Sequence, residues 1–140
     1  MKNLRSILFA LTVLLLATAA QAQTTRVQAS IPFDFVVGDH SYSAGDYTVK
    51  SLSQASAAIR VDNADGTEKG ITLSNACQKG EAATHTTLVF RRLGDNYFLY
   101  QVWTEGNTMG REFPMGKAEM QVAKNYSKPE LVIVAANISH

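Results

Sequence analysis

Apolar and polar residues alternate along most of the chain beyond residue 26, which is the pattern of β-strands with one buried face. From Val27 to Val37 every second residue is apolar, so one long strand is predicted. Pro32 lies within it and has no N–H for a ladder hydrogen bond, so we expect this strand to lie at a sheet edge or to carry a bulge. A second strand begins at Tyr47, after the turn-rich sequence GDHSYSAGD.

Two shorter runs follow, AAIRVD (57–62) and GITLSN (70–75), and they are predicted to be the third and fourth strands. The connection between them contains Asp65-Gly66. Glycine tolerates the positive φ that a tight turn requires, so this dipeptide between two alternating runs indicates a hairpin.

The strongest β-pattern is THTTLVFRRLGDNYFLYQVWTE, in which two strands flank the turn at Gly94-Asp95-Asn96. The returning strand is apolar on both faces, so we expect it to be central in its sheet and covered on both sides. Strict alternation divides its residues into two sets, with Phe98, Tyr100 and Val102 on one face and Tyr97, Leu99 and Trp103 on the other.

One segment has helical periodicity, and it is a candidate cover for the second face of that strand. We predict a helix over about residues 114–126, beginning at Pro114, because proline is favoured in the first turn. Its expected apolar face recurs at helical spacing and consists of Met115, Ala118, Val122 and Tyr126.

The last apolar run, LVIVAAN, predicts a final strand over about residues 131–137. Because the run is continuously apolar, we expect this strand to be interior to its sheet. Together the elements predict an all-β fold, an antiparallel β-sandwich or flattened barrel of about seven strands with one short helix before the last strand.

Residues 1–22 have the three parts of a secretory signal peptide. Lys2 and Arg5 are followed by an apolar run from Ile7 to Ala17 and then by Ala20-Gln21-Ala22. The run is shorter than the roughly 20 residues of a stable spanning helix, although an uncleaved N-terminal anchor is the alternative. We expect cleavage between Ala22 and Gln23, and no cysteine follows the site to accept a lipid.

The processed chain, residues 23–140, is predicted to be a single β-domain in the periplasm or outside the cell, without a membrane span. Removal of Lys2 and Arg5 leaves 11 basic residues against 12 acidic ones. This near-neutral balance provides no electrostatic basis for binding nucleic acid or an anionic membrane.

Cys77 is the only cysteine in the sequence, which excludes an internal disulfide. A small, half-buried thiol is the simplest interpretation. The alternative is a dimer linked through Cys77, since single cysteines of exported proteins can pair between chains.

The stretch IPFDFVVGDHSYSAGDYTV contains Asp34, Asp39, His40 and Asp46, which are residue types that bind metals or transfer protons. Aspartates beside glycines also form turns by accepting backbone N–H groups, and we favour that role here. The chain has no G-x-S-x-G, no phosphate-binding loop and no dinucleotide fingerprint. We therefore predict no catalytic residues, no metal and no cofactor, with an unrecognised hydrolase as a remote alternative.

Aromatic and arginine side chains are concentrated in and near the long hairpin, and such residues are enriched at binding interfaces. Arg91 and Arg92 are adjacent on a strand and must point to opposite faces. The alternative is that the aromatic residues are core. The candidate ligand or partner surface consists of Arg91, Arg92, Tyr97, Tyr100, Trp103 and Arg111.

Five motifs together resemble a group of small secreted β-domain proteins of environmental Gram-negative bacteria. They are IPFDFVVGD, SAGDYTV, LVFRRLGDNYFLYQVW, GREFP and the following KAEMQVAK, and Ser43 stands where that group tends to have proline. The resemblance implies the β-fold and export but no activity.

The sequence thus favours a non-catalytic binding or envelope-associated module whose partner is a protein, a glycan or a small apolar ligand. A carrier of a small apolar ligand in a β-barrel or sandwich is the alternative. It is suggested by the many aromatic and aliphatic residues of the central strands and by the helix predicted beside the sheet.

Overall fold

The computed structural model describes residues 24–53 and 55–139, which form twelve strands and one helix. Two sheets pack over a common core, so the fold is a β-sandwich rather than a closed barrel. The expected signal peptide and its cleavage site at Ala22–Gln23 lie outside the described residues. The elements are β1 (Arg26–Ile31), β2 (Phe35–Val37), β3 (His40–Tyr42), β4 (Gly45–Ser51), β5 (Ala58–Asn63), β6 (Lys69–Leu73), β7 (Asn75–Gln78), β8 (Thr87–Leu93), β9 (Asn96–Trp103), β10 (Met109–Glu112), α1 (Lys117–Ala123), β11 (Glu130–Ala135) and β12 (Asn137–Ser139).

The first sheet, sheet I, has the strand order β12-β1-β4-β5-β6, and the second, sheet II, has the order β11-β8-β9-β10-β7. The β2–β3 hairpin extends sheet II through a parallel pairing of Val36 with Phe98. The hairpin predicted at Asp65-Gly66 is confirmed, because β5 and β6 pair antiparallel and Gly66 has a φ of 74°. Within the described ranges, no helix is both long and apolar enough to cross a membrane.

The first alternating run is two strands and not one. β1 ends at Ile31, and β2 begins at Phe35 in the other sheet. The expectation that this strand lies at an edge was wrong, since β1 lies between β12 and β4. Pro32 cannot donate to the ladder, so strand pairing stops before it and the chain crosses between the sheets.

Aromatic rings fill the end of the sandwich where this crossing takes place. Phe35 is buried, with its ring centroid 5.2 Å from that of Tyr42, 4.9 Å from Tyr47 and 5.6 Å from Phe90. Phe33 stacks on the Tyr97 ring of β9. Contacts of this kind stabilise beyond the area they bury, and here they join both sheets to the crossing segment.

The other end of the sandwich core is lined by smaller side chains. Val27, Val49 and Ile59 come from sheet I, and Val102 comes from sheet II; all four are buried. In both sheets these four side chains lie at the end of the sandwich that is opposite to the aromatic rings. The core is therefore graded from large aromatic groups to small aliphatic groups along its length.

A β-bulge between β8 and β9 changes the predicted faces of the central strand. The register shifts between Val89 and Phe90, which pair with Gln101 and Leu99, so Tyr100 is the extra residue. As a result Tyr97, Leu99 and Val102 pack in the main core, while Tyr100 and Trp103 pack on the outer face of sheet II. Strict alternation failed because a bulge inserts one residue into the period of two. The central position of β9 is confirmed.

The helix is shorter than predicted and presents a different face to the sheet. Met115 and Tyr126 lie outside it and are exposed, and Ala118 is exposed as well. The buried residue of α1 is Glu119, at 2% exposure. An ion pair, and not an apolar stripe, therefore fixes α1 to the outer face of sheet II, where its partner is Arg91.

The final apolar strand is an edge strand, which corrects the expectation that it is interior. Leu131 and Ile133 on β11 are 57% and 67% exposed. After Ala136 the chain crosses to sheet I, where β12 pairs with β1. Within sheet II, β11 has a neighbour on one side only, which is β8.

Replacing Ile133 by alanine should lower the free energy of unfolding by less than about 1 kcal/mol, because the side chain is mostly in water already. Phe90→Ala should lower it by about 3–5 kcal/mol, since Phe90 is fully buried. Urea unfolding followed by tryptophan fluorescence measures both. A loss above about 2 kcal/mol for Ile133→Ala would show that this side chain is buried and would contradict its exposure on β11.

Candidate functional site

The structure does not bring the six predicted surface residues together. Arg91, Tyr100 and Trp103 lie on the outer face of sheet II. Tyr97 lies in the main core, with the Arg92 guanidinium 5.6 Å from the centre of its ring. Arg111 lies at the opposite end of the sandwich, beside Val102. A role of these residues in binding a partner stays a prediction.

Arg91 is held inside the protein by α1. Its Nη2 donates to Glu119 Oε2 at 2.9 Å and to the Phe113 carbonyl at 3.3 Å, and its Nε donates to Glu119 Oε1. The guanidinium also lies over the Tyr100 ring, 4.2 Å from its centre. Because both charged side chains are almost fully buried, this arrangement positions the helix rather than presenting Arg91 to a partner.

Trp103 belongs to a small second core on the outer face of sheet II, together with Ala83 and Val89. Its Nε1 donates to Gln101 Oε1 at 3.1 Å. Gly110 lies against the ring, and a Cβ at that position would come within 2.6 Å of Trp103 Cε3. The indole is 2% exposed, so it is a packing residue in this structure.

Cys77 packs against the same small core and is a half-buried free thiol. Burial raises the pKa of the thiol, and the nearby Glu112 carboxylate raises it further. A dimer linked through Cys77 stays a prediction, and this environment disfavours the thiolate that disulfide formation requires.

The aspartates of the 31–49 stretch are engaged with neighbouring backbone and hydroxyl groups. Asp34 Oδ1 accepts the Ala44 N–H at 2.8 Å, and Asp39 Oδ1 accepts the N–H of Lys117, the first residue of α1, at 2.9 Å. Asp46 accepts a hydrogen bond from the Ser30 hydroxyl. Among the described residues, no three His, Cys, Asp or Glu side chains are grouped so that they could hold a metal ion.

A buried tyrosine closes the same corner of the fold. The Tyr47 hydroxyl donates to the Ser43 carbonyl at 2.6 Å and to the Glu68 carboxylate. Burial and the hydrogen bond to Glu68 raise the pKa of Tyr47. The same hydrogen bond, with donation from the Ser43 N–H, lowers the pKa of Glu68. These shifts arise from a structural turn contact and do not indicate a catalytic group.

A cleft of about 270 Å³ opens between the two sheets at the aliphatic end of the core. Val27, Val49 and Ile59 line it from sheet I, and Val102 and Met109 line it from sheet II. The aromatic rings at the other end do not extend this far along the strands, so the small side chains leave space between the sheets. The remaining lining residues are Thr25, Lys50, Ser51, Ala76, Thr104, Gly110 and Arg111.

Arg111 is the charged residue whose side chain reaches across this cleft. It pairs with Val102 and Ala76 on the neighbouring strands, both of which line the cleft, so all three share one face of sheet II. Its Nη2 donates to the Ser56 carbonyl in the β4–β5 connection at 3.0 Å. The arginine thereby connects the two sheets at the mouth of the cleft.

Arg111 was predicted from the sequence but the rest of the cleft was not, because the valines and isoleucine that line it have the pattern of ordinary core residues. A signal was present in the strands themselves. β1 and β4 have valine toward one end and a larger group, Ile31 or Tyr47, toward the other. This difference in side-chain size along each strand predicts a cleft only once the strand order is known, because the order places the valine ends of the strands next to one another.

A larger groove of about 710 Å³ crosses the outer face of sheet I, but it is polar and open. Two of its charged groups lie close together, since Lys50 Nζ is 4.0 Å from Asp62 Oδ2. Volume alone does not identify a site, and a mostly apolar cleft with a few polar groups is the better candidate.

Glu119→Ala should lower the free energy of unfolding by about 3–5 kcal/mol, because it leaves the Arg91 charge buried without its partner. The double variant Arg91→Met with Glu119→Leu should be within about 1 kcal/mol of the wild type, since it removes both charges. Chemical denaturation compares the two. Equal losses in both variants would contradict an electrostatic role of the pair.

Cys77 should react with iodoacetamide at pH 7.5 several-fold more slowly than a free cysteine, because its raised pKa lowers the thiolate fraction. The rate should reach that of free cysteine in urea, where the protein is unfolded. Mass spectrometry of the alkylated chain measures both rates. Fast alkylation of the folded protein would show that the thiol is exposed.

No protein-family model, no curated protein and no solved structure matches this chain at a significant level.

Proposed function

We propose that the protein is an exported, non-catalytic binding module, and that the cleft between its two sheets holds a small ligand with an apolar part. Export to the periplasm or beyond is supported by the signal-like sequence of residues 1–22. The observation that carries the binding role is the apolar cleft at the small-residue end of the core.

The lining of the cleft supports a small ligand over a protein or glycan partner. Ligand sites are mostly apolar with a few polar groups that fix orientation. At about 270 Å³ this cleft lies just below the usual range of roughly 300–1,000 Å³ for drug-sized ligands. Surfaces that bind proteins or glycans usually present aromatic side chains to solvent, whereas Trp103 is buried in this protein.

The cleft is also formed by regular structure, which favours binding without rearrangement. Val27, Val49 and Val102 lie on strands that have a hydrogen-bonded neighbour on each side. Sites on strands hold their geometry better than sites on loops. A preformed site avoids the entropic cost of ordering the protein when a ligand binds.

The ionisable residues of the cleft do not support catalysis. Among the described residues, the charged residues that line it are Arg111 and Lys50, whose Nζ lies 4.0 Å from Asp62 Oδ2, and no His, Cys, Asp or Glu lines it. Acyl or glycosyl transfer requires a nucleophile beside a base, or a pair of carboxyl groups. The hydrolase alternative is tested by Asp34→Ala, Asp39→Ala and His40→Ala in an activity panel; a hydrolytic activity that these changes abolish would support it.

Binding of 1-hexanol should shift the backbone amide signals of Val27, Val49 and Val102 in NMR titrations, because the alkyl chain enters the apolar cleft. Val102→Phe should abolish these shifts by filling the space. Ile133→Phe adds the same ring on the exposed strand β11 and should leave the shifts unchanged.

Ala76→Leu adds a smaller group to the same cleft and should weaken the shifts if Val102→Phe fails to fold. Absent shifts in the wild type, or equal shifts in the cleft variants and Ile133→Phe, would overturn the proposal. Solvent extraction of protein purified from its native host, followed by mass spectrometry, identifies any ligand that remains bound.

A further inference from the structure

We infer that the ligand of the cleft is a short aliphatic monocarboxylate whose carboxylate group is bound by Arg111. This inference rests on the proposed function, because it assigns the chemical class of ligand to the same cleft. It is carried by the direction of the Arg111 side chain, by its unused hydrogen-bond donors and by the charges around it.

The direction of Arg111 follows from its neighbours on β10. Gly110 lies against Trp103, and Glu112 Oε2 accepts from Gln101 Nε2 at 3.1 Å; both contacts are on the outer face of sheet II. Adjacent residues of a strand point to opposite faces. Arg111 therefore points inward, between the sheets, where it lines the cleft.

Three of the five described arginines have a carboxylate partner, and the two that have none among the described residues are the exposed Arg26 and the half-buried Arg111. Arg60 pairs with Asp62, Arg91 with Glu119, and Arg92 with Glu130. Arg111 is half-buried, and among the described residues no carboxylate lies within ion-pair distance of it. A partly buried charge without a counter-ion is unfavourable, so an anionic ligand would be stabilised there.

The guanidinium retains donors for such a ligand. Arginine has five N–H donors in a planar fork, and among the described residues Arg111 makes one side-chain hydrogen bond, from Nη2 to the Ser56 carbonyl. The fork matches a carboxylate in a bidentate arrangement, which is the strong form of this interaction. The bond to Ser56 also holds the guanidinium at the mouth of the cleft.

Lys50 does not provide an equivalent group. It follows Val49, which points into the core, so its side chain is directed to the outer face of sheet I. Its Nζ lies 4.0 Å from Asp62 Oδ2. The head group of the ligand is therefore assigned to Arg111 alone.

The cleft walls away from Arg111 determine which chemical group the ligand carries beyond its carboxylate. Beyond Arg111 most of the surface of the cleft is apolar, and its lining includes three valines, an isoleucine and a methionine, which favour an alkyl chain. A cavity of about 150 Å³ accommodates benzene, so about 270 Å³ is enough for a chain of roughly six to eight carbons.

The test compares hexanoate, 1-hexanol and hexylamine by calorimetric or NMR titration of the full processed chain at pH 7.5. Wild-type protein should bind hexanoate about tenfold or more tightly than 1-hexanol, because a charge-assisted hydrogen bond is added. Hexylamine should bind more weakly than either. Added salt should weaken the binding of hexanoate but not that of 1-hexanol.

Arg111→Gln should remove the preference for hexanoate, so that this variant binds hexanoate no more tightly than it binds 1-hexanol. Arg111→Lys should give an intermediate hexanoate affinity, since it keeps the charge but loses the planar fork. The matched control is Arg60→Gln, which removes a paired arginine from the outer face of sheet I and should change neither affinity.

The outcomes separate the inference from the proposed function. Equal binding of hexanoate and 1-hexanol by the wild type would overturn the role of Arg111 and leave the apolar cleft as a site. Binding of neither compound would overturn both. If Arg111→Gln does not fold, Arg111→Lys decides: unchanged hexanoate affinity in this variant would overturn bidentate recognition.

Discussion

The contact on which this structure depends is the aromatic cluster around Phe35, where the chain first crosses from sheet I to sheet II. Phe35 packs on Tyr42, Tyr47 and Phe90 at once, so it joins the crossing segment to both sheets. Large rings fill the space between the sheets at this end. The valines and isoleucine at the other end cannot fill the same separation, and the cleft is the consequence. The aromatic packing that stabilises the fold thus lies at one end of the core, and the site proposed for a ligand lies at the other end.

The charged residues of sheet II show how position determines the role of an arginine. Arg91 and Arg111 were both predicted as binding residues from their sequence context. Arg91 is on the outer face, where Glu119 of α1 satisfies it and fixes the helix. Arg111 is on the inner face at the mouth of the cleft, where its contact is a carbonyl. Both were candidates for binding because they are arginines in a strand-rich segment. Their environments differ because they lie on opposite faces of the same sheet.

Much of the fold could be predicted because strands with a buried face impose a period of two on the sequence. The all-β class and the central strand β9 followed from that pattern. The hairpin followed from Asp65-Gly66 between two alternating runs, and the helix after β10 followed from a change to helical spacing. The face assignment of β9 failed at the bulge beside Tyr100, since one inserted residue reverses every position beyond it. The prediction for α1 failed because apolar spacing does not reveal that a buried glutamate meets an arginine on another strand.

The sequence by itself determined local structure: where strands run, where Pro32 and the glycine turns interrupt them, and which residues carry charge. Only the tertiary structure decided which sheet each strand joins, because the chain changes sheet near Pro32, Ala44, Ser74 and Ala136, and the period of two is the same in both sheets. It also decided that the apolar strand β11 is an edge and that the small ends of several strands align to form a cleft. These properties depend on contacts between residues far apart in sequence, and periodicity contains information only about neighbours along the chain.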